Sequence, residues 1–261
     1  MKADVYTLEG TKTGSIELPE QFNEEYEPDL VKRAILAVES HNRTPYGAMA
    51  KAGMGVSAKL SRRRRDYKGS YGKGISRAPR KTMWRRGMQF GWVGAWAPGT
   101  RGGRQSHPAK PFKIYAQKIN IKERKKAIRS ALNGSVAKGL MMVVEDKFET
   151  VKKSKDLVKV FDKMGIDHEK VERKKAGRGK SRGRSKRFKK NALIILSKKC
   201  DVMNALKNLP GVDAVEVNRL NAKLLTLGHD TPRKCIWTKS AVERVSKENL
   251  FRGKQWNKVK Y

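Results

Sequence analysis

One stretch decides the fold class: Asn120–Val144, which reads NIKERKKAIRSALNGSVAKGLMMVV. Asn120 and Glu123 have the spacing of a capping box, and Gly139 is a residue typically found just past a helix end. The apolar residues on one face of this helix are Ile128, Leu132 and Val136. Leu140–Val144 follows at once as a continuous apolar run, typical of a strand buried on both faces. The stretch therefore predicts an amphipathic helix joined directly to an interior strand.

Strand and helix patterns alternate on both sides of this stretch. In chain order they are the hairpin strands Asp4–Leu8 and Ser15–Leu18, the helix Pro28–His41, the helix and strand above, the helix Ser154–Met164, the strand Ala192–Leu196, the helix Asp201–Leu209, the strands Asp213–Val217 and Cys235–Trp237, and the helix Thr238–Leu250. Alternation at this spacing is typical of an α/β protein with an open, mostly parallel sheet and flanking helices.

A long basic stretch, Gly47–Phe112, interrupts the alternation. Its 66 residues contain 16 Lys or Arg, 12 Gly, the single acid Asp66 and three of the five tryptophans. It lacks the apolar periodicity of a core but is rich in aromatic and guanidinium planes. A segment of this kind needs a polyanion to become ordered, so we expect one long irregular basic loop that extends from the sheet domain.

The composition therefore predicts four parts. Residues 1–46 and 112–251 form a discontinuous α/β domain, and residues 47–111 form the extended loop. A second basic insertion, 173–190, has 11 Lys or Arg and no acid, and 252–261 is a short basic tail.

The whole chain of 261 residues carries a formal charge of +36, which favours nucleic acid or acidic membranes as partners. A membrane protein is disfavoured because no run approaches the roughly 20 apolar residues of a transmembrane helix. The two cysteines, Cys200 and Cys235, form neither a metal pair nor a disulfide framework. These features predict a soluble protein of a reducing compartment.

No motif predicts catalysis, a metal or a cofactor. Gly53-Met-Gly55 fits a dinucleotide fingerprint only by letter, and Gly179-Lys180-Ser181 lacks the first glycine of a P-loop. The four histidines, His41, His107, His168 and His229, are scattered. Cys200 at a helix start could have a lowered pKa, although a buried, inert thiol is favoured.

The basic segments point to nucleic acid. Arginine outnumbers lysine in the longest runs, and its planar fork binds phosphate and stacks on bases. Aromatic residues interleave these runs, which is not typical of a solvated linker but favours stacking on bases. RNA is favoured over DNA because no recognition-helix module is visible. The candidate RNA-binding residues are Arg62, Arg63, Arg64, Arg65, Lys68, Lys73, Arg77, Arg80, Lys81, Arg85, Arg86, Arg101, Arg104, Lys110, Arg178, Arg182, Arg184 and Arg187.

The order of these parts resembles the large-ribosomal-subunit protein four family in its archaeal and eukaryotic form. The residues that carry the resemblance are Val5–Gly10, Ser76–Arg80, Arg101–Pro108, Ile128–Leu132, Ala176–Arg184, Val215–Asn218 and Thr238–Val245. They occur in order over nearly the whole chain. Because the chain has no long C-terminal extension, the resemblance favours the archaeal type.

The resemblance implies a structural ribosomal constituent in the cytoplasm, not an enzyme. Its globular domain would lie on the subunit surface, and the loop would pass through ribosomal RNA to the peptide exit tunnel. Its partners would be the large-subunit ribosomal RNA, neighbouring ribosomal proteins and the nascent polypeptide. The tip, within Lys81–Pro98, is bulkier and more aromatic than is usual in the family; the candidate tunnel residues are Met83, Trp84, Met88, Gln89, Phe90, Trp92 and Trp96.

Two alternatives come from other classes of protein. An architectural protein that compacts DNA or RNA would also be strongly basic. An RNA-processing enzyme would need acids, histidines or metal ligands that converge at strand ends, and the sequence predicts no such set.

Overall fold

The computed structural model describes residues 1–167, 172–174, 176–228 and 231–252. Two compact units are present. The sheet unit comprises Met1–His41 and Gln117–Tyr261, and the basic unit comprises Asn42–Ala116. His168, His229 and the predicted tail beyond Arg252 lie outside the described residues.

The described strands and helices follow in chain order. They are β1 (Lys2–Tyr6), β2 (Lys12–Glu17), α1 (Pro28–His41), β3 (Arg80–Arg86), β4 (Gln89–Gly94), α2 (Ile121–Ala137), β5 (Met141–Val144), α3 (Ser154–Lys163), β6 (Glu172–Lys174), α4 (Arg178–Ser181), β7 (Lys186–Phe188), β8 (Leu193–Leu196), α5 (Val202–Lys207), β9 (Asp213–Glu216), α6 (Ala222–Leu225), β10 (Thr226–Leu227), β11 (Thr231–Pro232), β12 (Cys235–Thr238) and α7 (Lys239–Lys247). Short 3-10 helices cover Glu20–Phe22, Asp146–Thr150 and Val217–Arg219.

The main sheet has six strands in the order β2-β1-β5-β12-β8-β9. β1 and β2 pair antiparallel, whereas the pairs β1–β5, β5–β12, β12–β8 and β8–β9 are parallel. The last strand, β12, therefore lies in the middle of the sheet, where Trp237 aligns with Val143 on one side and Ile195 on the other. The prediction of an open, mostly parallel α/β sheet is confirmed.

The core occupies both faces of this sheet. All four residues of β8 are buried, with Leu193 and Ile195 in one apolar cluster and Ile194 and Leu196 in the other. The first cluster also takes residues from α1, α2 and α7, and the second takes residues from α3 and α5. Burial of an aliphatic side chain stabilises the folded state by roughly 1.5–3 kcal/mol relative to leaving it exposed. The apolar runs in the sequence therefore form the centre of the domain.

Most predicted elements of the sheet unit are present. α1 has the predicted bounds, and α2 begins after Asn120, whose backbone N–H donates a hydrogen bond to Glu123 Oε2 at 3.3 Å. The hairpins β3–β4, β6–β7 and β10–β11 and the short helices α4 and α6 were not predicted. These elements are short or basic, so they have no apolar periodicity from which the sequence could predict them.

Candidate nucleic-acid interface

The basic unit contains 18 Lys or Arg residues and one acid, Asp66. Its regular structure is the antiparallel hairpin β3–β4, which runs from Arg80 opposite Gly94 to Arg86 opposite Gln89. The predicted extension, 47–111, lies inside this unit. The loop that the sequence indicated as irregular therefore contains a defined hairpin.

The hairpin changes register between Thr82 and Trp84. Met83 is the extra residue of a β-bulge, a feature that typically bends the strand locally. Across the ladder, the Trp84 indole lies against Gly91, where an added Cβ would be 2.1 Å from Trp84 Nε1. Gly91 therefore provides the space that the indole needs.

Trp96 lies at the base of the hairpin. Ala95 N–H donates to Pro79 O at 2.8 Å, so the chain stays paired just after β4. Trp96 then takes a left-handed backbone conformation with φ 63°, and its indole N–H donates to Val56 O at 3.0 Å. This side chain is anchored within the unit and does not project from the hairpin end.

The predicted tunnel residues divide into two groups. Met83, Trp84 and Met88 are 63%, 56% and 80% exposed, and Gln89 is also exposed. Phe90 and Trp92, like Trp96, are half-buried within the basic unit. We call Met83, Trp84, Met88 and Gln89 the outward group; the contact of either group with a tunnel stays a prediction.

Phe90 joins an aromatic cluster on the hairpin. Its ring centroid is 5.4 Å from that of Tyr67 and 5.4 Å from that of Trp92, both edge to face. Arg80 Cζ lies 5.3 Å from the Trp92 ring centroid. Lys68 Nζ lies 5.0 Å from the Phe90 centroid and donates to Thr82 Oγ1 at 2.9 Å. These predicted RNA-binding cations are thus positioned by aromatic faces before any partner binds.

The four arginines Arg62–Arg65 lie on an exposed loop with a buried base. Ser61 and Ser70 are 6% and 5% exposed, and the Ser70 hydroxyl donates to Ser61 O at 3.3 Å. Arg65 and Lys68 adopt left-handed backbone with φ 62° and 61°. The closed base therefore presents four guanidinium groups to solvent within one short turn.

Asp66 belongs to the base of this loop. A hydrogen bond with the Ser61 hydroxyl chiefly lowers the pKa of Asp66, and Lys59, 3.7 Å away, lowers it further. The single acid of the basic unit is thus used to shape the loop that carries the arginines.

The remaining candidates fall in both units. Lys81 Nζ donates to Arg101 O at 2.8 Å, and Lys73 and Arg77 lie over the rings of Trp92 and Tyr71. The exposed candidates of the basic unit that are not yet placed are Arg85, Arg86, Arg101, Arg104 and Lys110. Arg178, Arg182, Arg184 and Arg187 are exposed in the sheet unit, on and after α4.

A buried ion pair holds the end of the second basic insertion, 173–190, next to the main sheet. Arg233 is 3% exposed, and its guanidinium donates to Asp213 Oδ2, Asn191 O and Ala192 O at 2.7–2.8 Å. Lys190, the last residue of the insertion, also bonds to Asp213. Burial alone would raise the pKa of Asp213, but the hydrogen bonds from Lys190 and Arg233 hold it below its usual value. Arg233 is not evident from the sequence, because an arginine in so basic a chain resembles a surface residue.

Glu149 fills the position where open α/β sheets commonly bind ligands, beyond the carboxyl ends of β5, β8 and β12. Its carboxylate accepts hydrogen bonds from the Thr238 hydroxyl at 2.7 Å and from the Ser197 backbone N–H and hydroxyl at 2.9 Å. Burial would raise the pKa of Glu149, but together these hydrogen bonds hold it below the usual value. The chain's own carboxylate thus joins three strand ends.

Replacement of Glu149 by Gln is expected to lower the free energy of unfolding by about 1–3 kcal/mol at neutral pH, because charge-assisted hydrogen bonds are removed. Because the pKa of Glu149 is lower in the folded protein than in the unfolded one, its carboxylate stabilises the fold at pH values above the unfolded pKa of about 4.3. This stabilisation is lost as the pH falls through the pKa of the folded protein. The difference from the wild type should therefore shrink in acid. Urea unfolding at several pH values measures it, with the exposed Glu25→Gln as control; a difference that is constant with pH would contradict the assignment.

The cysteines are not activated. Burial, with a further contribution from Glu149, raises the pKa of the half-buried Cys200 to about 11, so the alternative of a lowered pKa is wrong. Burial raises the pKa of Cys235 to about 12. Within the described ranges, no group of three or more His, Cys, Asp or Glu side chains is arranged to hold a metal ion. No helix among the described residues is long and apolar enough to cross a membrane.

Comparison with known proteins identifies the family. Residues 16–248 match the sequence model of the Ribosomal protein L4/L1 family. The chain belongs to this family. It is 41% identical to large ribosomal subunit protein uL4 of Archaeoglobus fulgidus, over 93% of this chain and 97% of that protein. It is 38% identical to the protein of the same name from Nanoarchaeum equitans, over 96% of this chain and 100% of that protein. The resemblance to the archaeal type of the family is confirmed.

Proposed function

We propose that the protein is a structural constituent of the large ribosomal subunit, in the cytoplasm, and that it binds ribosomal RNA through the basic unit. The single observation that carries the proposal is the charge of that unit, with 18 cations against one acid. The relatives named above are large ribosomal subunit proteins, which agrees with it. The proposal gives the chain no catalytic role.

The basic unit would act through phosphate neutralisation and stacking. Exposed arginines such as Arg62–Arg65 would bind phosphates of RNA segments that otherwise repel each other. Because Lys68 and Arg80 are already positioned over aromatic rings, less side-chain entropy is lost when they bind. The aromatic faces would stack on unpaired bases.

The four predicted parts have different proposed roles. The discontinuous domain, 1–46 and 112–251, would fix the protein on the subunit, while the extension, 47–111, would enter the RNA. The insertion 173–190 would add Arg178, Arg182, Arg184 and Arg187 as a second RNA contact. The tail 252–261 stays a basic segment without an assigned role.

The end of the β3–β4 hairpin is proposed to reach the peptide exit tunnel. The outward group, Met83, Trp84, Met88 and Gln89, is the part of the tip that would contact the nascent polypeptide, because these side chains are exposed. Phe90, Trp92 and Trp96 would instead support the hairpin from within the basic unit. Neighbouring ribosomal proteins would be further partners.

Sedimentation tests the proposal directly. In a lysate of cells that make the protein, we expect it to migrate with large subunits and to remain bound after a moderate-salt wash. A protein that stays near the top of the gradient would contradict the ribosomal assignment. Equal binding of the pure protein to random duplex DNA and to folded ribosomal RNA would instead favour an architectural, compacting protein.

A further inference from the structure

The chain enters and leaves the basic unit through two adjacent segments, 43–48 and 105–115, which we call the stem. Ala48 N–H donates to Ala109 O at 2.9 Å. Gly47 lies so close to Pro111 that an added Cβ would be 2.3 Å from Pro111 Cδ. The stem is therefore a tightly joined structure of defined geometry.

Several aromatic rings line the stem, and two of them are largely exposed. The Tyr46 and Tyr115 rings are nearly parallel, with centroids 6.2 Å apart and 9° between their planes. The Arg43 guanidinium lies 4.0 Å from the Tyr115 centroid and 5.7 Å from the Tyr46 centroid, so it contacts both rings. Tyr46 is 56% exposed and Phe112 is 76% exposed. Two large flat surfaces remain available to a planar partner.

These rings surround a cavity of about 540 Å³. The polar side chains on its wall are Gln105, His107, Lys110 and Lys113. Lys110 Nζ lies 5.5 Å from the Phe112 ring centroid, and Lys113 Nζ lies 5.4 Å from that of Tyr115. Aromatic rings, an amide, an imidazole and two ammonium groups therefore meet in one cavity, of a size that suits a small ligand.

We propose that this cavity binds a single unpaired nucleotide of RNA. The base would stack on the exposed ring of Phe112 or Tyr46, and Gln105 and His107 would contact its edge. Lys110 and Lys113 would neutralise the flanking phosphates. A base within a duplex has both faces covered by its neighbours, so the site selects a bulged or single-stranded nucleotide.

The inference rests on the RNA binding proposed above, and the experiment separates the two. Full-length protein is titrated with a short RNA hairpin that has one bulged adenosine and with the same hairpin without the bulge. Since stacking on one base is worth roughly 1–3 kcal/mol, we expect the bulged RNA to bind roughly 5- to 150-fold more tightly. In the double variant Tyr46→Ala/Phe112→Ala, the two RNAs should bind equally.

Control variants separate stacking from general effects. Tyr46→Phe keeps the ring and should keep the preference for the bulge. Ile114→Ala removes a side chain that is 85% exposed and is not on the cavity wall, so it should also keep the preference. With 2-aminopurine in the bulge, the wild type should quench its fluorescence and the double variant should not.

Three results would overturn the inference. Equal binding of the two RNAs by the wild type, or a preference that survives in the double variant, contradicts the nucleotide site and leaves the proposed RNA binding intact. Failure of the wild type to bind either RNA contradicts both proposals.

Discussion

Replacement of Arg62, Arg63, Arg64 and Arg65 by glutamine is expected to weaken binding of ribosomal RNA by roughly two to three orders of magnitude at about 0.15 M salt. Every phosphate that the variant no longer neutralises should also reduce the slope of log affinity against log salt by roughly 0.7–0.9. The loop has a buried base at Ser61 and Ser70, so the substitution removes charge and leaves the loop backbone in place.

The size of this effect follows from the position of the four guanidinium groups. They are exposed on one turn, where a single RNA segment can contact several of them. Glutamine keeps a polar side chain but releases no counterion when it meets a phosphate. Filter binding or fluorescence anisotropy over a series of salt concentrations measures both the affinity and the slope.

The matched control removes four charges from the sheet unit. Lys153, Lys155, Lys159 and Lys163 are exposed at or beside α3, and their replacement by glutamine changes the net charge by the same amount. We expect this control to have a much smaller effect. If both variants bind equally weakly, binding depends on total charge, which would favour the compacting protein over a defined interface.

Replacement of Arg233 by Met is expected to lower the free energy of unfolding by about 3–5 kcal/mol. Arg233 is 3% exposed and bonds at once to Asp213, Asn191 and Ala192. Methionine fills much of the volume but leaves the Asp213 carboxylate with Lys190 alone and two backbone carbonyls without this donor. Urea unfolding followed by circular dichroism measures the change.

Two further variants test whether the ion pair causes this destabilisation. Arg219→Met removes an exposed pair with Glu216, whose atoms are 3.8 Å apart, and should cost less than about 1 kcal/mol. Asp213→Asn combined with Arg233→Met should be less destabilised than the sum of the single variants, because the uncompensated charge is gone. If Arg233→Met changes the free energy of unfolding by less than about 1 kcal/mol, the ion pair between Arg233 and Asp213 does not stabilise the fold as expected.

The proposed nucleotide site in the stem was only partly indicated by the sequence. Lys110 was predicted as an RNA-binding residue, whereas Tyr46, Phe112 and Tyr115 were not. They lie at the edges of the basic stretch, where neither charge density nor apolar periodicity is high. The contacts of Ala48 with Ala109 and of Gly47 with Pro111 bring these edges together into one cavity.

The predicted tip of the basic loop shows the same limit. The sequence indicated seven residues near the tip, but composition does not separate exposed from packed aromatic side chains. Trp84, beside the register shift at Met83, is 56% exposed, whereas the hydrogen bond from Trp96 to Val56 O holds Trp96 at the base. These contacts join residues far apart in sequence, so local patterns do not reveal them.

The sequence by itself determined the fold class, and it predicted an interrupted domain and RNA as the partner. Helix and strand periods are local, so α1 and β8 could be located from neighbouring residues, and charge is additive, so the basic stretch was evident from composition. Only the tertiary structure decided that β12 lies at the centre of the sheet, that Arg233 is buried, and that Tyr46 and Phe112 share a cavity. The physical reason is that strand order, burial and cavity shape depend on contacts between distant segments, and each segment alone is compatible with many partners.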